Sequence, residues 1–133
     1  MSERAFGNTP RAVSEARHYV TAELSDVPRD VVDEVAVIVS ELVTNCVLHT
    51  DTDFVVRVVH DRQRVRVEVT DYGDGTPTPR VPPVSEPTGR GLRIVRELAD
   101  DFGVRPLAES PGKTVWFSVD LEPGPAERNV PHR

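Results

Sequence analysis

The apolar run between Pro28 and His49 constrains the fold of this chain more than any other feature of the sequence. Apolar side chains recur along it at helical spacing, and additional valines widen the apolar stripe to more than half of the helix circumference. The spacing predicts one long helix that begins after Pro28 and ends at about His49. A helix this apolar must be covered on several sides, so we expect it at the centre of the domain.

Length, charge and cysteine usage limit the class of protein. A chain of 133 residues corresponds to one domain of ordinary size. Its net charge of −6 argues against binding nucleic acid through a basic surface and against an electrostatic membrane anchor. No long apolar run indicates a transmembrane helix or a secretory signal, so we expect a cytoplasmic protein with no nucleic-acid or membrane partner.

Cys46 is the single cysteine, which excludes a disulfide within the chain and a zinc site built from several cysteines. Because Cys46 falls on the apolar stripe of the long helix, we expect a small buried hydrophobic residue rather than a nucleophile.

The spacing of apolar residues in the rest of the chain predicts further helices and strands. Helices are predicted from about residue 10 to 24, from 28 to 49, and from 92 to 102 with Gly103 as the stop; strands are predicted at 54–59, 65–70, 104–107 and 115–121. The strict alternation of apolar and polar residues from Val65 to Thr70 is typical of a half-buried strand. This order favours an α/β (α+β) sandwich of two layers, with the helices stacked on one face of a sheet.

Regular periodicity stops between Asp71 and Gly91, where prolines and glycines accumulate. A loop of this length in a compact domain is usually a functional lid or is disordered. We therefore divide the chain into an N-terminal arm (1–8), a domain (9–121) with a lid (72–91), and a disordered tail (122–133). The lid lacks the apolar residues needed to stay ordered without a ligand.

Two short motifs do not carry the chemistry that they suggest. Gly112-Lys113-Thr114 ends like a phosphate-binding P-loop, but Leu107 stands where that loop needs its first glycine, and a strand follows instead of a helix. Asp101-Phe102-Gly103 copies the magnesium-binding triplet of protein kinases without the other kinase motifs. We interpret this triplet as structural, with a packing phenylalanine and a glycine that ends the third helix.

Glu41 and Asn45 lie one turn apart on the same face of the long helix. An amide oxygen is a hard, neutral ligand that suits Mg²⁺, and a nearby carboxylate can accept a proton from a hydroxyl nucleophile. Taken alone, the pair also fits the exposed edge of a packed helix.

Two glycine motifs follow. Asp71, Gly73 and Gly75 come directly after a strand, where a carboxylate can accept from an exocyclic amine and glycines allow a planar ring to approach the backbone; a plain turn is the alternative. Gly89-Arg90-Gly91 opens a helix, where free N–H groups and a cation can meet an anion. A hinge with a solvated arginine is the alternative there.

The order of four motifs resembles the nucleotide boxes of the GHKL ATPases, the superfamily of gyrase, heat-shock chaperones and histidine kinases. The boxes are Glu41-Leu42-Val43-Thr44-Asn45, Asp71-x-Gly73-x-Gly75, Gly89-x-Gly91-Leu92-x-Ile94-Val95 and Gly112-Lys113-Thr114-Val115. Within this superfamily the chain is most similar to short proteins of the anti-sigma-factor serine kinase type, over residues 9–121.

The resemblance implies a Bergerat-type fold, in which three helices cover one face of a mixed, mostly antiparallel sheet, and it implies ATP and Mg²⁺ as cofactors. By similarity, Glu41 is the general base, Asn45 coordinates Mg²⁺, and Asp71 bonds the adenine amine. The resemblance also implies further nucleotide-binding residues: Gly73 and Gly75 beneath the ring, Gly89, Arg90 and Gly91 on the phosphate side of the lid together with Leu92, and Thr114 in the adenine pocket. His49 either borders the pocket or offsets the helix dipole.

The resemblance further implies a kinase that phosphorylates a serine of an anti-anti-sigma (STAS) partner and sequesters a sigma factor. Two alternatives stay open: an ATP-binding switch that sequesters a partner without useful phosphotransfer, and a catalytic domain that serves a histidine acceptor in trans. Relatives of this type are commonly dimers, and the face around Trp116 is one candidate contact for a homodimer.

Overall fold

The computed structural model describes residues 1–73 and 87–121; in the helix that begins at residue 87, side chains are described from residue 93 onward. The helices are α1 (Arg11–Glu23), α2 (Arg29–His49) and α3 (Pro87–Leu98), and the strands are β1 (Ser2–Phe6), β2 (Phe54–His60), β3 (Arg64–Asp71), β4 (Asp101–Pro106) and β5 (Lys113–Asp120). The predicted long helix is confirmed as α2, and Pro28 lies directly before it.

The five strands form one sheet in the order β1-β2-β3-β5-β4. Each described pair of neighbours is antiparallel. The resemblance implies a mixed, mostly antiparallel sheet, and the pairs that the structure describes are all antiparallel. Strands β4 and β5 form a hairpin, and β5 lies between β3 and β4, antiparallel to both.

The core lies between the helices and one face of the sheet. Val65, Val67 and Val69 alternate inward along β3, as their spacing predicts. Helix α2 contributes the largest share of the buried helical residues, namely Val31, Val32, Val35, Ile38, Val39, Leu42, Val43 and Cys46. The predicted central position of α2 and the two-layer arrangement are therefore confirmed.

Residues 1–8, which we expected to form an arm, contain the edge strand β1. This strand pairs with β2 along its whole length, from Ser2 opposite Val58 to Phe6 opposite Phe54. Phe6 is the buried residue of β1, and its ring stacks on that of Phe54 with centroids 5.6 Å apart. An edge strand with a single buried side chain has no clear hydrophobic period, which explains why the pattern did not predict it.

The third helix ends earlier than predicted. It stops at Leu98, and Phe102 and Gly103 belong to strand β4 rather than to a helix end. Phe102 pairs with Phe117, and Gly103 pairs with Trp116. The spacing of Val95, Ala99 and Phe102 fits a helix, but six residues gain a full ladder of hydrogen bonds by pairing with β5. Trp116 itself is half-buried, and its ring lies 4.1 Å from the guanidinium carbon of Arg66.

Candidate functional site

A cavity of about 540 Å³, counted with its open mouth, lies between the C-terminal half of α2 and the inner face of the sheet. The residues that line it belong to α2, β3, β4 and β5, together with the residue that follows α2: Leu42, Asn45, Cys46, His49, Thr50, Val69, Asp71, Val104, Lys113 and Val115. Valine and leucine side chains form apolar walls, and a few polar groups converge between them.

Helix α2 presents one stripe of side chains to this cavity. Leu42, Asn45, Cys46 and His49 recur at spacings of three and four, which places them on a single helix face. Glu41 is half-buried on the same helix, one turn before Asn45, but it is not among the described residues that line the cavity. Glu41 shares the face of Asn45 but lies at the edge of the stripe, on the side away from Cys46.

Asp71 ends strand β3 at the cavity, and its side chain is only 5% exposed. Odd-numbered residues of β3 point toward the helices, so the carboxylate continues the row of Val65, Val67 and Val69. Oδ1 accepts a hydrogen bond from the main-chain N–H of Gly73 at 3.1 Å. Oδ2 accepts one from Nζ of Lys113 at 2.9 Å. A buried carboxylate with these two donors has acceptor positions left for a ligand.

The structure places Lys113, and not Thr114, at the cavity. Lys113 pairs with Asp71 in the β3–β5 register, whereas Thr114 pairs with Thr70 on the opposite face of the sheet. The hydroxyl of Thr114 shares a hydrogen bond of 2.7 Å with that of Thr70. The expectation that Thr114 joins the adenine pocket therefore disagrees with the strand register. The alternation of Val115, Phe117 and Val119, extended backwards, predicts Lys113 on the inner face.

Gly112 allows β5 to approach β3 at this point. Its φ is +123°, and a Cβ here would overlap the carbonyl oxygen of Asp71 and lie 2.8 Å from Cα of Tyr72. Both the backbone conformation and the space therefore require glycine. The main-chain N–H of Leu107 donates to the carbonyl of Gly112 at 3.0 Å and closes the β4–β5 hairpin that brings Lys113 to the cavity.

Cys46 forms part of the cavity wall and is 8% exposed. Burial raises the pKa of its thiol to about 12, and the nearby carboxylate of Asp71 adds to this increase. The thiol is therefore protonated at neutral pH, in agreement with the prediction of a small buried hydrophobic residue rather than a nucleophile.

His49 is both the last residue of α2 and a lining residue of the cavity. Its position therefore fits both interpretations of His49, as a residue that borders the pocket and as one that offsets the helix dipole. Its Nε2 atom is buried and has no hydrogen-bond partner among the described residues. Buried polar atoms are normally satisfied, so this nitrogen is available to a ligand in the cavity.

The two glycine motifs are described only in part. Gly73 is described through its hydrogen bond to Asp71, and Gly75 lies outside the described residues, as do most of the lid and the whole of the tail. Gly89, Arg90, Gly91 and Leu92 lie within the first half of α3, and their side chains are outside the described set. The predicted disorder of the lid and tail therefore stays a prediction.

No helix in the part of the chain that the structure describes is long and apolar enough to cross a membrane. No curated protein matches the sequence. A family does match: the histidine kinase-like ATPase domain aligns with residues 6–119, which include the residues that line the cavity and, apart from Asp120, strands β2 to β5. Together with the antiparallel sheet and the helices on one face, this match shows that the chain belongs to the histidine kinase-like (GHKL) ATPase domain family, whose members bind ATP, generally with Mg²⁺.

Proposed function

We propose that the protein is an ATP-dependent serine kinase that phosphorylates an anti-anti-sigma (STAS) partner and sequesters a sigma factor. Family membership supports the nucleotide, and the four motifs in order support the regulatory subclass. The observation that carries most weight is that Asn45 and Asp71 line one cavity from opposite walls, one on α2 and one on β3.

The base of the nucleotide fits the part of the cavity around Asp71. Val69 and Val115 offer apolar surface for a planar ring, and Asp71 offers a buried acceptor for an exocyclic amine. Asn45 and His49 lie along α2 and provide polar groups for the phosphate side. The described residues contain no group of three or more His, Cys, Asp or Glu side chains that could hold a metal. A magnesium ion would therefore take Asn45, phosphate oxygens and water as its ligands, and it would neutralise phosphate charge.

Glu41 is the proposed general base. It lies one turn before Asn45, is half-buried and is not among the residues that line the described cavity, so part of its side chain is open to a partner. Glu41 accepts the proton of the partner's serine hydroxyl, whose oxygen bonds to the γ-phosphorus. The bond between that phosphorus and the β–γ bridging oxygen breaks, and ADP leaves. Such transfer depends mainly on positioning and charge neutralisation, which a small domain can supply.

An ATP-binding switch without phosphotransfer is the second candidate. The position of Glu41 outside the described cavity favours it, because nucleotide binding alone does not need that carboxylate. Transfer to a histidine of another protein is a third outcome of the same test.

The test is incubation of the full chain with γ-labelled Mg-ATP and candidate STAS proteins. Glu41→Gln is compared with Glu34→Gln, an exposed acid of the same helix that serves as the matched control. We expect label on serine with wild type and the control, and a loss of about 100-fold or more with Glu41→Gln. Undiminished transfer by Glu41→Gln would show that Glu41 is not the general base. ATP binding without transfer to any partner would favour the switch, and an acid-labile product would identify histidine as the acceptor.

Sequestration is tested separately. Candidate sigma factors are mixed with the protein, with and without Mg-ATP, and complexes are detected by size-exclusion chromatography. We expect a complex whose stability depends on the nucleotide. If no candidate sigma factor co-elutes under either condition, the regulatory half of the proposal fails while the kinase half is unaffected.

A further inference from the structure

Asp71, the proposed acceptor for the nucleobase, forms an ion pair with a lysine. Lys113, the only lysine of the sequence, lies directly opposite Asp71 in the β3–β5 ladder, and its Nζ is 2.9 Å from Oδ2 of Asp71. The lysine side chain is 42% exposed, so its remaining N–H groups point to a region that water and a ligand can reach. Gly112 and the hairpin bond to Leu107 fix the strand that carries it.

Among the described residues that line the cavity, Asp71 is the one carboxylate and Lys113 the one permanent cation. The part of the cavity that is proposed to bind the nucleobase therefore offers an acceptor and a charged donor side by side. This differs chemically from an isolated carboxylate, which accepts from a 6-amino group and repels the oxygen of a 6-oxopurine. A lysine donates readily to such an oxygen, as it does to the O6 atom of guanine in DNA.

We propose that Lys113 is a specificity-determining residue that allows the cavity to bind 6-oxopurine nucleotides, such as ITP and GTP, as well as ATP. The inference rests on the proposed nucleotide-binding function. With adenine, the 6-amino group donates to Asp71 and the N7 atom accepts from Lys113. With hypoxanthine or guanine displaced by one position along the same edge, the N1–H group donates to Asp71 and the 6-oxygen accepts from Lys113. The same pair of side chains therefore matches an acceptor and an adjacent donor on either base.

The experiment measures the dissociation constants of Mg-ATP, Mg-ITP and Mg-GTP for the full chain by calorimetry. ITP is the sharpest probe, because it differs from ATP only at position 6 and in the proton on N1. We expect ITP to bind within about tenfold of ATP. Replacing Lys113 by methionine keeps the stem and removes the donor, and we expect it to weaken ITP relative to ATP by about 10- to 100-fold.

Two further variants are matched controls. Lys113→Arg keeps a charged donor and should retain ITP binding. Arg105→Met removes one positive charge from an exposed residue that pairs with Thr114, on the sheet face away from the cavity, and should leave the ITP-to-ATP ratio unchanged. The emission of Trp116 and thermal unfolding establish that each variant is folded. Should Lys113→Met fail to fold, the ratios of wild type and Lys113→Arg decide the question.

The outcomes separate this inference from the proposed function. If wild type binds ATP but ITP more than tenfold weaker, or if Lys113→Met has the same ITP-to-ATP ratio as wild type, the inference is wrong and ATP binding stands. If wild type binds no purine nucleotide, both the inference and the proposed function are overturned.

Discussion

The side-chain amide nitrogen of Asn8 lies 3.0 Å from the main-chain oxygen of Thr50 and 3.2 Å from that of Cys46. It lies 3.0 Å from the main-chain oxygen of Thr52 as well. One amide from the connection between β1 and α1 thus joins the C-terminal end of α2 to the segment that follows it, in addition to the bond that the N–H of Thr50 donates to the carbonyl of Cys46. Because the same end of α2 carries Asn45 and His49, Asn8 fixes one wall of the cavity from outside it.

Replacing Asn8 should therefore destabilise the protein. Asn8→Ala removes the side-chain donor to the main-chain oxygens of Thr50 and Thr52, whereas the oxygen of Cys46 keeps the N–H of Thr50. The variant should therefore lower the free energy of unfolding by about 1–3 kcal/mol, measured by urea denaturation. Asn8→Asp has the same shape but replaces the donors by a negative charge facing these oxygens, so it should be the less stable of the two. An aspartate variant as stable as wild type would show that these hydrogen bonds contribute nothing.

Gly112→Ala should destabilise the chain and weaken nucleotide binding together. The added methyl group meets the backbone of Asp71 and Tyr72, and the positive φ is strained for alanine, so we expect a loss of about 1–3 kcal/mol. Gly7→Ala is the control, because a Cβ there has nothing within 4 Å and the change should be nearly neutral. Equal stability of the two variants in thermal unfolding would contradict the close approach of β5 to β3.

Gly103→Ala should move the indole of Trp116. A Cβ at residue 103 would lie 2.7 Å from Nε1 and 2.9 Å from Cε2 of that ring, so the ring must shift. We expect a red-shifted emission of this single tryptophan and a loss of about 1–3 kcal/mol on unfolding. Unchanged fluorescence would mean that the ring does not lie over strand β4.

The thiol of Cys46 should make stability depend on alkaline pH. Its pKa rises from 9.0 to about 12 on folding, so the unfolded chain loses the proton first. The resulting stabilisation is complete below about pH 9 and is lost as pH rises toward 12. The free energy of unfolding of wild type should fall relative to Cys46→Ala by up to about 1.4 kcal/mol per pH unit in that range. Parallel curves for the two proteins would exclude a buried thiol.

Thr114→Val should lower the stability of the protein without changing its affinity for ATP. The variant loses the hydrogen bond to Thr70 and should be less stable by about 0.5–1.5 kcal/mol. Its dissociation constant for Mg-ATP should stay that of wild type, because Thr114 faces away from the cavity. A clear loss of ATP affinity in a folded Thr114→Val protein would show that Thr114 does contribute to the nucleotide pocket.

Much of the fold could be predicted from hydrophobic periods, because a period reports how side chains alternate between water and core. Helix α2 and strand β3 have strong periods and were predicted close to their observed bounds. Strand β1 has one buried residue and no period, and β4 has a spacing that also fits a helix. Both form because a neighbouring strand offers hydrogen bonds, and local sequence does not report a neighbour.

The candidate site was predictable to a similar degree. The spacing of Glu41 and Asn45 puts them on one helix face, but only the packing of α2 against the sheet turns Asn45 into the cavity and leaves Glu41 beside it. The partner of Asp71 depends on the register of β5, because a shift of one residue would exchange Lys113 and Thr114 between the two faces of the sheet.

The sequence by itself determined the central helix, the layered class of fold and the residue types available for nucleotide chemistry, since these follow from periods and spacings that span a few turns or strand residues. Only the tertiary structure decided that Asp71 meets Lys113 and that Asn8 holds the end of α2. Such contacts join residues about 42 positions apart, and they depend on how whole elements pack, which no local pattern encodes.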